Sequence, residues 1–276
     1  MPAIIKILNQ SGLREVNYHA DSLAAAAEFE SRAGVYTVSN TVNRTQTLLF
    51  DAHLERLADS AWREGIPLQF DRQQLRSALR QMIIESGFGD VRFRISAPAA
   101  QPNELILSIE PYAPPTDKLI GPGVRCNTSS LLTRQNPAAK SSDWMHRRQG
   151  LESARPANLY ETFLLDAEGA VLEGLGSNFY AVIDGYLRTA GSGVLAGISR
   201  RIVFAVCAGI VPMQEIAPNL RDLPRFDEAF MSSSSRGIIP VVEIDGRKIG
   251  AGEPGETTLR LREAYQHWVA AHLEEL

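Results

Sequence analysis

The stretch Val171–Asn178 reads V-L-E-G-L-G-S-N: an apolar run that ends on a carboxylate and passes at once into glycines and a Ser-Asn pair. Ala170, Val171 and Leu172 make a strand, so Glu173 stands at its end, and Gly174 and Gly176 leave bare backbone where a flat ring could approach closely. Just upstream, Thr162–Asp166 is a second apolar strand joined to the first by an Ala167-Glu168-Gly169 turn. Just downstream, Phe179–Ile183 leads to Asp184-Gly185 and Leu187, the signature of a two-residue hairpin. Hairpins therefore dominate this part of the chain. Taken alone, Glu173 reads as a solvent-facing glutamate at a hairpin end and Asn178 as a turn residue.

Further toward the C-terminus, the pattern predicts a helix from about Ile198 to Ala208, a strand near Ala229–Met231 and a hairpin around Asp245-Gly246. A final amphipathic helix carries Leu261, Tyr265, Trp268 and Val269. Toward the N-terminus, Val91–Ser96 and Glu104–Glu110 alternate as strands, as does Gly34–Thr41. One helix starts at Asp51 with Leu54, Leu57, Ala58, Ala61 and Trp62 on one face, and a second after Asp71 carries Leu75, Leu79, Met82 and Ile83. Pro111, Pro114, Pro115, Gly121, Pro122 and Gly123 break regular structure between the two halves. The expected division is an N-terminal domain over residues 1–114, a linker over 115–122 and a strand-rich domain over 123–276, an α+β organisation.

At 276 residues and 44% hydrophobic content the chain can build a substantial core. A net charge of −4, with no dense basic run, argues against nucleic acid or a membrane surface as partner and for a small molecule. Cys126 and Cys207 are too few for a disulfide framework, and are expected to be buried and reduced. The apolar N-terminal patch is too short for a signal sequence and the run Ile202–Met213 too short for a bilayer, so the cytoplasm is the expected location. The histidines at 19, 53, 146, 267 and 272 share no ligand spacing with cysteines or a carboxylate cluster, and no metal is expected; His53 instead orders Arg56 or caps a packing contact.

Lys140, in P-A-A-K-S-S-D, changes the reading of Glu173. A lysine that can form a Schiff base and a carboxylate that can keep a ring nitrogen protonated are the two groups pyridoxal 5'-phosphate requires. A phosphate also needs donors. Gly197-Ile198-Ser199-Arg200 opens a helix whose first amides, those of Ile198 and Ser199, lie at its positive end, although the same residues read equally as an ordinary serine cap. Arg56 in H-L-E-R-L and Ser234 in M-S-S-S-S-R are further phosphate candidates.

Together these residues resemble the fold-type IV pyridoxal-phosphate enzymes, the class IV aminotransferases that include branched-chain and D-amino-acid aminotransferases and aminodeoxychorismate lyases. H-L-E-R-L at 53–57, A-K-S-S at 139–142, L-L-D-A-E-G-A-V-L-E-G-L-G-S-N at 164–178, L-A-G-I-S-R at 195–200 and D-E-A-F-M-S-S-S-S-R-G-I-I-P-V at 227–241 occur in the family's order. The resemblance implies a small N-terminal α/β-sandwich domain, a larger β-rich one with the cofactor between them, and a homodimer. It implies that Lys140 holds the cofactor and shuttles the proton, that Glu173 meets the pyridine nitrogen, that Asn178 belongs to the cofactor site, and that Arg56, Ile198, Ser199 and Ser234 hold the phosphate.

Tyr36 and Asn40 fall where family members place specificity residues, and Arg92 and Arg94, on one side of the paired strand, could meet a substrate carboxylate or simply form an exposed face. Arg236, or the amides of Ser235 and Arg236, could serve instead. The chain departs from its relatives after the lysine, with Asp143 and Trp144 where an asparagine or tyrosine is usual. The implied activity is amino-group transfer between an amino acid or amine and a 2-keto acid. The alternatives are a lyase resembling aminodeoxychorismate lyase and a cofactor-binding protein with weak or no catalysis.

Overall fold

The computed structural model describes Met1–Leu276. In chain order its elements are β1 (Ile4–Asn9), β2 (Gly12–Glu15), α1 (Leu23–Ala26), β3 (Gly34–Val42), β4 (Gln46–Leu48), α2 (Phe50–Arg63), α3 (Arg72–Ser86), β5 (Val91–Pro98) and β6 (Leu105–Pro111). These are followed by α4 (Asp117–Ile120), β7 (Val124–Ser129), α5 (Ser142–Ala154), β8 (Glu161–Leu165), β9 (Val171–Gly174), β10 (Asn178–Ile183), β11 (Tyr186–Arg188), α6 (Ile198–Cys207) and β12 (Met213–Gln214). The last are β13 (Phe226–Ser233), β14 (Gly237–Ile244), β15 (Arg247–Lys248), α7 (Glu256–Ala271) and β16 (Leu273–Glu275). The fold is α+β. Two compact units form: Met1–Ala113 with Ala139–Arg147 and His272–Leu276, and Pro114–Ala138 with Arg148–Ala271.

The first unit is an antiparallel sheet of seven strands in the order β16-β4-β3-β5-β6-β1-β2. Alternate residues send Val35, Phe93, Ile95, Ala97, Leu107 and Ile109 to one face, where they bury against Phe50, Leu54 and Leu57 of α2 and Leu75, Leu79 and Ile83 of α3. Asp71 starts α3 by accepting the Gln73 and Gln74 amides, and Gly87, at φ 68°, ends it in the left-handed conformation that glycine enters without strain. Trp62 departs from the expected apolar face of α2: it is 76% exposed, whereas Leu54, Leu57 and Ala61 are buried.

The second unit closes on itself. β10, β13, β14, β7, β8 and β9 pair in sequence and β9 returns to β10 at Glu173↔Asn178, giving a ring of six strands with β11 beside β10, β12 beside β11 and β15 beside β14. Phe163, Val171, Phe179, Ala181, Met231, Ile239 and Val241 fill the interior. Two Asp-Gly turns behave as their residues require, with Asp184 and Gly185 at φ 52° and 76° and Asp245 and Gly246 at 50° and 74°. Glu228 receives the Thr257 and Thr258 amides and so starts α7.

The units depart from a linear division of the chain in two places. Ala139–Arg147, which includes Lys140, belongs to the first unit, because Ser141 bridges Val35 on the edge of β3 that β4 leaves open at that end. His272–Leu276 also belongs there, since β16 adds to β4. No helix is long and apolar enough to cross a membrane.

Candidate active site

In the first unit, Lys140 is placed by its backbone. Its carbonyl accepts the Tyr36 amide at 3.0 Å and its amide donates to Ser60 Oγ at 3.1 Å. Ser60 in turn donates to the carbonyl of Arg56, one helical turn earlier in α2. Gly34 is required beside this segment, because a Cβ there would lie 2.9 Å from the Ala97 carbonyl and 3.1 Å from Ser142 Oγ. The Lys140 amine stands over the Tyr36 ring, 4.8 Å from its centre, a face that attracts an ammonium. Tyr36 packs with Ala27, Met145 and Val38, and its own hydroxyl is buried with no hydrogen-bond partner in the protein.

Arg56 is buried on the helical side of β3. Its Nη2 donates to Thr37 Oγ1 at 2.9 Å, which leaves the Thr37 proton to donate to His53 Nδ1, also at 2.9 Å. His53 thus orders the threonine that orders the arginine.

The opposite face of the sheet carries Tyr36, Val38 and Asn40 on β3 against Ser96, Arg94 and Arg92 on β5. Arg92 lies beside Glu110 at 3.4 Å with 43% of its side chain exposed. Arg94 does not stand ready for a substrate: it is buried and ion-paired with Glu30 through Nε and Nη2, while Nη1 donates to the Leu23 carbonyl. Burial of a guanidinium demands such a partner, so the structure gives Arg94 the job of tying α1 and the segment after it to the sheet. Asn40 donates to the Thr41 carbonyl at 3.1 Å.

In the second unit, Glu173 is 3% exposed. Its Oε1 receives Arg134 Nη1 at 3.1 Å and its Oε2 receives the Leu195 amide at 3.1 Å. Asn178, paired with Glu173 across the strands, donates from Nδ2 to the Leu195 carbonyl at 3.0 Å. The two side chains therefore grip both polar atoms of one residue in the turn that leads to α6, and Asn178 acts on that turn. Gly197 caps α6 with no side-chain acceptor, so the amides of Ile198 and Ser199 in its first turn lack a capping group. A Cβ at Gly197 would lie 2.4 Å from Asn178 Oδ1, which makes glycine obligatory in this cradle.

Ser234 and Ser235 lie in the tight turn between β13 and β14, closed by the Arg236 amide on the Ser233 carbonyl at 3.2 Å. Arg236 itself is engaged elsewhere: Nη2 donates to Glu161 Oε2 and to the Gly176 carbonyl, and Nε to Ser233 Oγ. Burial lowers its affinity for a proton, but the charges and hydrogen bonds of Glu161 and Tyr160 outweigh that and hold its pKa above the usual arginine value. As a receptor for a substrate carboxylate Arg236 would have to leave Glu161, so its observed work is to hold the β13–β14 turn. After the lysine, Asp143 faces Arg147 at 3.8 Å and Trp144 is buried.

Sequence reasoning missed Thr37, Ser60 and Arg134. Ser60 falls four residues after Arg56 in α2, a spacing that puts the two on one face. Thr37 and Arg134 carry no local signal.

Each unit by itself offers groups of the chemistry pyridoxal 5'-phosphate needs: in the second, a buried carboxylate suited to a ring nitrogen and a helix start with bare amides and an obligatory glycine suited to a phosphate; in the first, a lysine amine over an aromatic face suited to an aldehyde. The chain matches the family described as amino-transferase class IV over residues 34–244. It is 30% identical over 236 residues to a putative branched-chain-amino-acid aminotransferase of Methanocaldococcus jannaschii, covering 78% of this chain and 80% of that one. It is 28% identical over 247 residues to a D-alanine aminotransferase of Bacillus licheniformis, covering 85% and 87%. The fold is that of the branched-chain amino acid aminotransferase of T.th. solved with pyridoxamine 5'-phosphate, at a TM-score of 0.83, 23% identity and 98% of both chains. The chain belongs to the class IV aminotransferase family and is a pyridoxal-phosphate-dependent transaminase of amino acids.

Proposed function

We propose that the chain moves the amino group of an aliphatic amino acid to a 2-keto acid, with Lys140 as its catalytic residue. The observation that carries this substrate class is the surface beneath the Lys140 amine, where Tyr36 packs with Ala27, Met145 and Val38 and offers an apolar wall. The branched-chain and D-alanine enzymes among its relatives handle donors of the same aliphatic kind. When bound, pyridoxal 5'-phosphate supplies the electron sink that makes the substrate's α-proton removable.

In this reading the Lys140 Nζ would anchor the cofactor and, once released from it, would carry the substrate's α-proton to the cofactor's C4' carbon. Glu173 would accept a hydrogen bond from the protonated ring nitrogen, and the Leu195 amide keeps its second oxygen fixed. Arg56, the amides of Ile198 and Ser199 and the Ser234 hydroxyl hold the phosphate, and Asn178 sets the turn before Ile198. Arg92, the more exposed of the two strand arginines, is the first candidate to meet the substrate carboxylate, Asn40 lies opposite it on β3, and the amides of Ser235 and Arg236 are the alternative. A cytoplasmic homodimer accords with the family resemblance and with two free, buried cysteines.

The test is to supply purified holoprotein with 2-ketoglutarate and, in turn, L-leucine, L-isoleucine, L-valine, D-alanine and L-aspartate, and to measure the keto acid formed. Turnover should favour one or more aliphatic donors and vanish in Lys140→Ala. Preference for aspartate, or pyruvate release from aminodeoxychorismate without any acceptor, would overturn the reading.

A further inference from the structure

Three hydroxyls inside the second unit form a chain that the amino-transfer roles leave unused. Tyr180 Oη lies 3.1 Å from Ser232 Oγ, and Ser232 Oγ lies 3.2 Å from Ser199 Oγ. Tyr180 is 0% exposed, Ser232 1% and Ser199 2%. Tyr180 projects from β10, Ser232 from β13 and Ser199 from the first turn of α6, so the chain of oxygens runs from the sheet to the start of that helix.

Each hydroxyl has one proton, so such a chain runs in one of two directions. If Ser199 donated to Ser232 and Ser232 to Tyr180, the phenolic proton would be buried with no acceptor, because Ser232 is the one partner Tyr180 has. A stranded buried donor is costly. The other direction pairs the two innermost protons, Tyr180 donating to Ser232 and Ser232 to Ser199, and moves the unpaired one to the helix start. Burial also holds the Tyr180 phenol well above its ordinary pKa, so it keeps its proton at any working pH. The last proton, that of Ser199, then has no acceptor in the protein and is left at the helix start, beside the bare amide of the same residue.

We propose that Tyr180 and Ser232 are positioning residues that orient the Ser199 hydroxyl as a donor to the cofactor's phosphate. The inference rests on the assignment of the α6 start to that phosphate. The relay sets the direction of one hydrogen bond before the phosphate arrives, so none of the three hydroxyls must reorient on binding. It also couples the phosphate to β10 and β13, the strands that carry Asn178 and lead to Ser234.

Apoprotein titrated with pyridoxal 5'-phosphate and, separately, with pyridoxal, which lacks the phosphate, tests this through the two dissociation constants. Tyr180→Phe, which keeps the ring stacked on Phe230, should weaken the phosphorylated cofactor about fivefold to tenfold, the size of one lost hydrogen bond. It should leave pyridoxal unchanged, and Ser232→Ala should do the same. In a Ser199→Ala background Tyr180→Phe should have no further effect, since the relay has lost its last member. Equal weakening of both vitamers would mark a merely structural role and overturn the proposal. So would unchanged affinity in Tyr180→Phe when Ser199→Ala weakens binding, which would leave the phosphate assignment standing. If Ser199→Ala itself changes nothing, the hydroxyl does not meet the phosphate and the relay falls, a result that leaves the assignment of the amides, which alanine keeps, untouched; parent apoprotein that binds pyridoxal as tightly as pyridoxal 5'-phosphate would overturn the phosphate assignment itself.

Discussion

The two units hold the side chains proposed for the chemistry by different means. Lys140 in the first unit is fixed through main-chain atoms, its carbonyl on the Tyr36 amide and its amide on Ser60. Glu173 in the second unit is fixed through its carboxylate, one oxygen on Arg134 and the other on the Leu195 amide, at the pair of residues where the ring of strands closes. A residue held by its backbone can lose its side chain without loss of its place. A residue held by its side chain cannot, so chemistry and stability are separable at Lys140 and joined at Glu173.

The largest expected effect follows at Lys140. On its proposed role, Lys140→Ala should lower amino transfer by about ten-thousandfold or more, the scale of a lost general base and anchor, and remove the visible absorbance of a lysine-bound cofactor. The thermal midpoint of the apoprotein should move little. A large drop in that midpoint would show that the amine is part of the scaffold after all.

Stability in the first unit is concentrated at a different side chain, that of Glu30. Glu30→Ala strands the buried Arg94 guanidinium and should cost roughly 3–5 kcal/mol, read by urea unfolding. Glu173→Ala should cost about 3 kcal/mol by the same argument applied to Arg134 and, on its proposed role at the ring nitrogen, should also lower turnover at least a hundredfold. Apoprotein unfolding separates the two effects. If Glu173→Ala proves as stable as the parent, the barrel closes without its carboxylate and the contrast with Lys140 disappears.

The same contrast explains what could be read in the sequence. Local signals sufficed wherever a residue's partner is its near neighbour: Asp71 before α3, the Asp-Gly turns at 184 and 245, and the apolar run before Glu173 all became the elements expected of them. The class of the chain was readable because five short motifs recur in order. The placement of Lys140 in the first unit was not, because it depends on a bridge between Val35 and Ser141, far apart in the chain. α5 carries no apolar stripe, and β16 pairs with a strand more than two hundred residues earlier, so neither announces itself. Arg94 and Arg236 stand out in the sequence as candidates for a substrate because a strand pattern or a loop shows an arginine but not the Glu30 or Glu161 opposite it.

The smallest expected effect tests whether main-chain fixation in the first unit extends to its last strand. β16 is tied to β4 by its backbone, and its Glu275 carboxylate adds hydrogen bonds from Arg80 and Thr45. The Arg80 hydrogen bond first, and the Thr45 hydroxyl after it, hold the Glu275 pKa below the ordinary glutamate value. A carboxylate whose folded pKa is depressed contributes stability above its unfolded pKa, near 4.3, and loses it as pH falls through the folded value. Glu275→Gln should therefore lower the thermal midpoint slightly at pH 7, and the gap between variant and parent should close as the pH falls below about 4. The carboxylate is more than half exposed, so the gap at pH 7 should also shrink in high salt. A gap that persists unchanged in acid would mean that the glutamine disturbs the β16–β4 pairing itself, and that the strand depends on its side chains as Glu173 does.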